Sequence, residues 1–177
     1  MKRYLYLCFL SVLLVSCDQV IFPEPQPPRT DNCIEIPHEL LGIWLDQNND
    51  TLHVFKDHFN YNSEEFRIAG SEYLSDSAVM KIYKGKYFYS RRIMINGEHF
   101  WLTYILYANI HDGEMGLYAM YPDNVVNLAR LQEITSKVRD IETEEAEYYL
   151  FAPKRKHYKK IISDTIFSEM ISFRKIN

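Results

Sequence analysis

The sequence predicts a mainly β protein with some α, an antiparallel meander closing into a barrel with one or two helices before its last strand. Three observations carry this reading. The chain holds 14 Tyr and 10 Phe against only 6 Gly, and large aromatic side chains suit a pleated, half-buried surface. Short apolar runs recur between turn-forming clusters such as Asn96-Gly97. Helical spacing of apolar residues begins only after Pro122.

The length of 177 residues fits one domain with a substantial core. The formal charge is -4, from 20 Lys+Arg against 24 Asp+Glu. No basic stripe runs along the chain, so nucleic acid is not an expected partner.

Residues 1–16 read as a signal peptide. Lys2 and Arg3 form a positive start, and Tyr4 to Val15 is an apolar run too short for a comfortable membrane span. It ends in Leu14-Val15-Ser16-Cys17, which resembles the lipobox of bacterial lipoproteins. The resemblance implies diacylglyceryl transfer to the Cys17 sulfur, cleavage before Cys17 and acylation of the new amine. It implies a chain held by lipid to a cell-envelope membrane, the outer in preference to the inner. Asp18 leaves the final membrane open: beside such a cysteine it marks inner-membrane retention in some bacteria and favours surface export in others. Cys8 would leave with the leader and Cys17 would become a thioether, so Cys33 has no cysteine left to pair with.

Residues 17–35 read as a lipidated tether. Pro23, Pro25, Pro27 and Pro28 exclude helix and central strand. They favour a polyproline spacer that would lift the domain off the membrane. The folded domain is then expected over residues 36–177.

Within it, Leu40 to Leu45 and Thr51 to Lys56 flank the polar turn cluster Asp46 to Asp50. Strands are expected through Tyr61 and over Phe66 to Ala69. The clearest region follows. Ala78 to Tyr83, Tyr87 to Ile95, Glu98 to Ile110 and Glu114 to Tyr121 are separated by Lys84-Gly85-Lys86, Asn96-Gly97 and His111-Asp112-Gly113. Asn-Gly between apolar runs is the strongest short hairpin signal, because a type I′ turn needs positive φ at both positions. A four-strand antiparallel meander is expected here.

Asp123 is a plausible helix N-cap. Val125, Leu128, Leu131, Ile134, Val138 and Ile141 then follow at helical spacing. Tyr148 to Phe151 reads as a strand, and Pro153 opens a short helix over Lys154 to Ile162. Ser168 to Ile176 alternates as a terminal strand. The basic run Lys154 to Lys160 reads as the solvated face of that short helix.

The run Glu98 to Ile110 has two apolar faces. Phe100, Leu102, Tyr104, Leu106 and Ala108 alternate with Trp101, Thr103, Ile105 and Tyr107. A one-sided sheet would show a polar face, so both faces must be covered. A helix docked outside a curved sheet is one way to do this. An aromatic-lined cavity inside a barrel is the other, with Trp101, Tyr104 and Tyr107 as its ligand or partner surface.

Leu41-Gly42-Ile43-Trp44 resembles the Gly-x-Trp start of lipocalins and related calycin barrels. That resemblance implies that Gly42 and Trp44 open the barrel and that an arginine of the last strand, here Arg174, packs across the Trp44 ring. The Thr-Asp-x-Tyr motif of lipocalins is absent.

No nucleophile elbow, phosphate loop or dinucleotide fingerprint occurs. The six histidines, His38, His53, His58, His99, His111 and His157, have no metal-site spacing. Acidic runs such as Glu64-Glu65 read as solvated faces. The expectation is a non-catalytic protein with no cofactor, no metal and no catalytic residues. It would act as an accessory module docking on an envelope protein. The alternative is a carrier of a small apolar ligand, and an enzyme is the lesser option.

Overall fold

The computed structural model describes residues 19–63, 68–120, 125–135, 138–143, 147–163 and 166–176. Within these the chain is mainly β. The strands are β1 (Gln19–Phe22), β2 (Gly42–Asp46), β3 (Thr51–Val54), β4 (His58–Ser63), β5 (Ile68–Tyr73), β6 (Ala78–Tyr83), β7 (Lys86–Ile95), β8 (Glu98–Asn109), β9 (Glu114–Met120), β10 (Val138–Glu142), β11 (Glu147–Phe151) and β12 (Phe167–Ile176). The helices are α1 (Val125–Ile134) and α2 (Tyr158–Ser163). The leader, Cys17 and Asp123 lie outside the described residues.

The meander β6 to β9 follows the turn chemistry. Lys84 and Gly85 have φ of 51° and 70°, and Asn96 and Gly97 have 51° and 81°, so both hairpins bend through positive φ as two-residue loops require. The expected helix to Ile141 is shorter. It stops at Ile134, and Val138 to Glu142 form β10, paired with β11 over its whole length. On β10 Val138 and Ile141 face opposite sides, Val138 towards the cluster around Phe151 and Ile141 towards that around Ile21, and the pairing satisfies a backbone edge of β11 that a longer helix would leave open.

All neighbours are antiparallel in the order β6-β7-β8-β9-β12-β2-β3-β4-β5. This sheet curls: Phe59 of β4 and Tyr89 of β7 meet edge to face at 5.2 Å. Its concave side buries Leu40, Trp44, Leu52, Tyr61, Met80, Leu106, Met115, Ile171 and Phe173 in one cluster.

The expected barrel does not close. β5 and β6 start as a hairpin, with a single bridge between Ser75 and Ala78, and then part. The edge of β6 that β5 would need is already occupied. The Met80 carbonyl accepts from the Cys33 N–H at 2.7 Å, and Asn32 bridges to Lys81.

The segment that takes this edge belongs to the expected tether, and the expected start of the domain at Ile36 is corrected with it. The residues from Gln19 to Cys33 are part of the fold. β1 pairs antiparallel with β8 and parallel with β11, and its Val20, Ile21 and Phe22 are buried. The Pro-rich stretch that follows is latched down. Gln26 is 1 % exposed; its N–H donates to the Ser90 hydroxyl at 3.1 Å, and its side-chain oxygen accepts from the Tyr158 hydroxyl. The buried Lys81 donates to the carbonyls of Pro25 at 2.9 Å and Pro27 at 3.1 Å. Proline cannot donate backbone hydrogen bonds, but its carbonyls still accept them, and a buried ammonium is a strong donor.

The convex side of β8 is covered by the helices, and the neighbouring strands β1 and β11 add side chains to the same layer. Val20, Phe22, Trp101, Ile105, Leu131, Ile134, Phe151, Tyr158 and Ile161 form a second cluster. Both faces of β8 are therefore buried, as its two apolar faces require.

Candidate functional site

Where β5 and β6 part, the concave face keeps a cavity of about 130 Å³. Its wall is apolar: Leu52, Phe59, Leu106, Leu117, Ile171 and Phe173 line it, together with Tyr61, Gly70, Glu72 and Tyr89. The period of two on each strand places these side chains together. Leu52, Phe59, Tyr61, Tyr89, Leu106, Leu117, Ile171 and Phe173 come from strands far apart in sequence and point inward because their neighbours point out. Gly70, with φ of 122°, has nothing within 4 Å of where a Cβ would stand.

Three polar groups meet this wall. The Tyr61 hydroxyl is satisfied, donating to Asp46 Oδ2 at 2.8 Å. Glu72 of β5 and Arg91 of β7 form an ion pair at 3.8 Å, both partly exposed, which crosses the seam at the cavity's rim. Tyr89 is 8 % exposed, and its hydroxyl has no well-formed hydrogen bond among the described residues. Burial, and then a weak hydrogen bond to the Glu72 carboxylate and its charge, push its pKa well above the ordinary value. A buried hydroxyl held only weakly by Glu72 can still take a better partner.

The residues singled out from sequence do not converge. Tyr104 is on the concave side, stacked behind Tyr89 with ring centroids 6.3 Å apart. Trp101 and Tyr107 belong to the convex cluster. Tyr107 packs edge to face on Tyr118 at 4.9 Å, under the Lys86 ammonium at 4.1 Å. The parity of the three numbers already carried this signal, since odd and even positions of one strand face opposite ways. Tyr89, Glu72 and Arg91 were missed because only the curl of the sheet brings β5 to β7.

Gly42 and Trp44 lie on β2, between β12 and β3. Trp44 is fully buried, and its indole N–H donates to the Leu40 carbonyl at 2.9 Å. The cation over the ring is Lys175, not Arg174. Lys175 pairs with Trp44 across β12 and β2, and its Nζ is 5.1 Å from the ring centroid. Arg174 is exposed and points away. Phe173 faces inward, so Lys175 shares its face and Arg174 takes the other. Gly42 makes room for this lysine: a Cβ there would stand 3.0 Å from Lys175 Cε.

Among the described residues, no group of three or more His, Cys, Asp or Glu is placed to hold a metal ion. Compared with known proteins, the chain matches no family model, no curated sequence and no solved structure.

Proposed function

We propose that this chain is a lipid-anchored, non-catalytic binding protein of a bacterial cell envelope, and that its concave cavity carries a small, largely apolar ligand. The observation that carries the reading is the cavity itself, with its apolar wall and the weakly bonded Tyr89 hydroxyl at its edge. An apolar hollow of roughly 150 Å³ takes a molecule of benzene's size, which sets the scale of the buried part of the ligand. The Tyr89 hydroxyl would meet its one polar atom, and the Glu72–Arg91 pair would lie at the entrance. The strand order supports a lipocalin-like barrel opened at one seam. Anchorage rests on the lipobox at Cys17.

Titration with benzene, followed through the methyl resonances of Leu52, Leu106, Leu117 and Ile171, tests this. Saturable shifts confined to these groups and abolished by Leu117→Phe are expected. Shifts spread over the surface, or none, contradict it.

One further observation favours the second reading, a docking module. The rings of His53, Phe55, His58 and Tyr73 stack in a row on the outer face of β3 to β5, at centroid distances of 6.2, 4.4 and 4.5 Å. Phe55 and Tyr73 are exposed, and exposed aromatic rows suit protein interfaces. Under this reading Phe55→Ser with Tyr73→Ser abolishes capture of a stoichiometric envelope protein by the intact chain.

A further inference from the structure

Asp18 alone separates the lipobox cysteine from Gln19, the first residue of β1. Successive Cα atoms are about 3.8 Å apart, so the Cα of Cys17 can stand no more than roughly 7 Å from that of Gln19. β1 cannot supply slack. It is paired on both edges, and its Val20, Ile21 and Phe22 are buried. The Pro-rich stretch after it supplies none either, because Lys81, Tyr158 and Ser90 hold it to the body of the fold. The residues whose composition suggests a spacer are spent inside the domain.

We infer that the anchored protein has no tether: the domain is seated directly on a lipid bilayer, through the surface around Gln19. This rests on the reading of Cys17 as the lipidated residue. The neighbours of Gln19 define that surface. Tyr148, half-buried, is its in-register partner on β11, and the half-buried Met170 lines a small hollow beside it. Glu142, exposed on the edge strand β10, pairs with Glu147 one residue from Tyr148. A carrier seated in this way would take and release its ligand at the membrane surface, with no freedom to swing away from it.

The experiment uses the full acylated chain in phosphatidylcholine and phosphatidylethanolamine vesicles, some carrying a head-group nitroxide. Cys33→Ser leaves Glu142→Cys as the one free thiol for a fluorophore. A second version carries sixteen Gly and Ser residues inserted between Asp18 and Gln19, a spacer with a mean span of roughly 20–24 Å. Strong quenching by the nitroxide is expected in the direct version, falling severalfold with the spacer. Equal quenching in both, or none in the direct version, overturns the seating. Mass spectrometry of the mature chain separates the two readings. An acyl mass on Cys17 with an unquenched label defeats the seating alone, while an unmodified Cys17 defeats the anchor and the seating together.

Discussion

Lys175 lies directly across from Trp44 in the β12–β2 pair and holds its ammonium 5.1 Å from the indole centroid. Lys175 Nζ also reaches the Glu39 carbonyl at 3.4 Å. Such a cation–π contact contributes about 0.5–2 kcal/mol. Lys175→Met keeps the apolar stem and removes the charge, so it should lower the unfolding free energy by that amount, read as a lower urea midpoint at an unchanged slope. Arg174→Ala, on the outer face, should stay within about 0.5 kcal/mol of the parent.

The meander from Ala78 to Met120 was legible because its turns need particular residues. Asn96-Gly97 and Lys84-Gly85 take positive φ, and the runs between them have strand length. The two buried faces of β8 were legible from alternation alone. Other features were not, and for physical reasons. Whether Val138 and Ile141 continue a helix or start a strand depends on the free edge of β11, which is a tertiary fact. The role of residues 19–35 was hidden because proline composition reports local stiffness but not whether a distant lysine will take the carbonyls. The cavity was hidden because β5 and β7 meet only through the curl of the sheet.

The N-terminal segment gives the second prediction. Fully burying Val20, Ile21 and Phe22 contributes roughly 1.5–3 kcal/mol each. Their total is comparable with the whole stability of an ordinary domain, about 5–15 kcal/mol. A chain beginning at Ile36 should therefore lose its cooperative thermal transition, whereas one beginning at Gln19 should melt as a single unit by near-ultraviolet circular dichroism. Lys81→Met in the longer chain should be destabilising, because it strips the charged donor from the Pro25 and Pro27 carbonyls.

Tyr89 gives a prediction of opposite sign. Its hydroxyl is buried without a well-formed hydrogen bond, so Tyr89→Phe removes a desolvated polar group and little packing. The ligand-free protein should become more stable by about 1 kcal/mol. A loss of more than that in a chemical melt would mean that the hydroxyl is satisfied in solution.

Alkaline titration gives the fourth. Tyr61, Tyr87, Tyr89, Tyr104, Tyr107, Tyr118 and Tyr158 all have raised pKa values, with burial as the largest cause. Tyr87, which also donates to Glu39, is pushed up to about 12. A phenol that holds its proton more tightly when folded contributes stability in full below the unfolded value of about 10. That contribution is lost as pH rises through the folded value. Absorbance at about 295 nm, where tyrosinate absorbs, should therefore show these rings silent near pH 10 and then rising steeply towards pH 12 and above, together with unfolding. Smooth titration of every tyrosine near pH 10 would rule out their burial.

The carrier reading stands or falls on what the cavity holds in the cell. The full chain should be isolated from native membranes in mild detergent, washed, and extracted with organic solvent for mass spectrometry, beside the Leu117→Phe variant that fills the cavity. One small, largely apolar molecule should be recovered in stoichiometric amount with the parent chain and lost with the variant. Recovery of the same molecules from both, or of none from the parent, would contradict it.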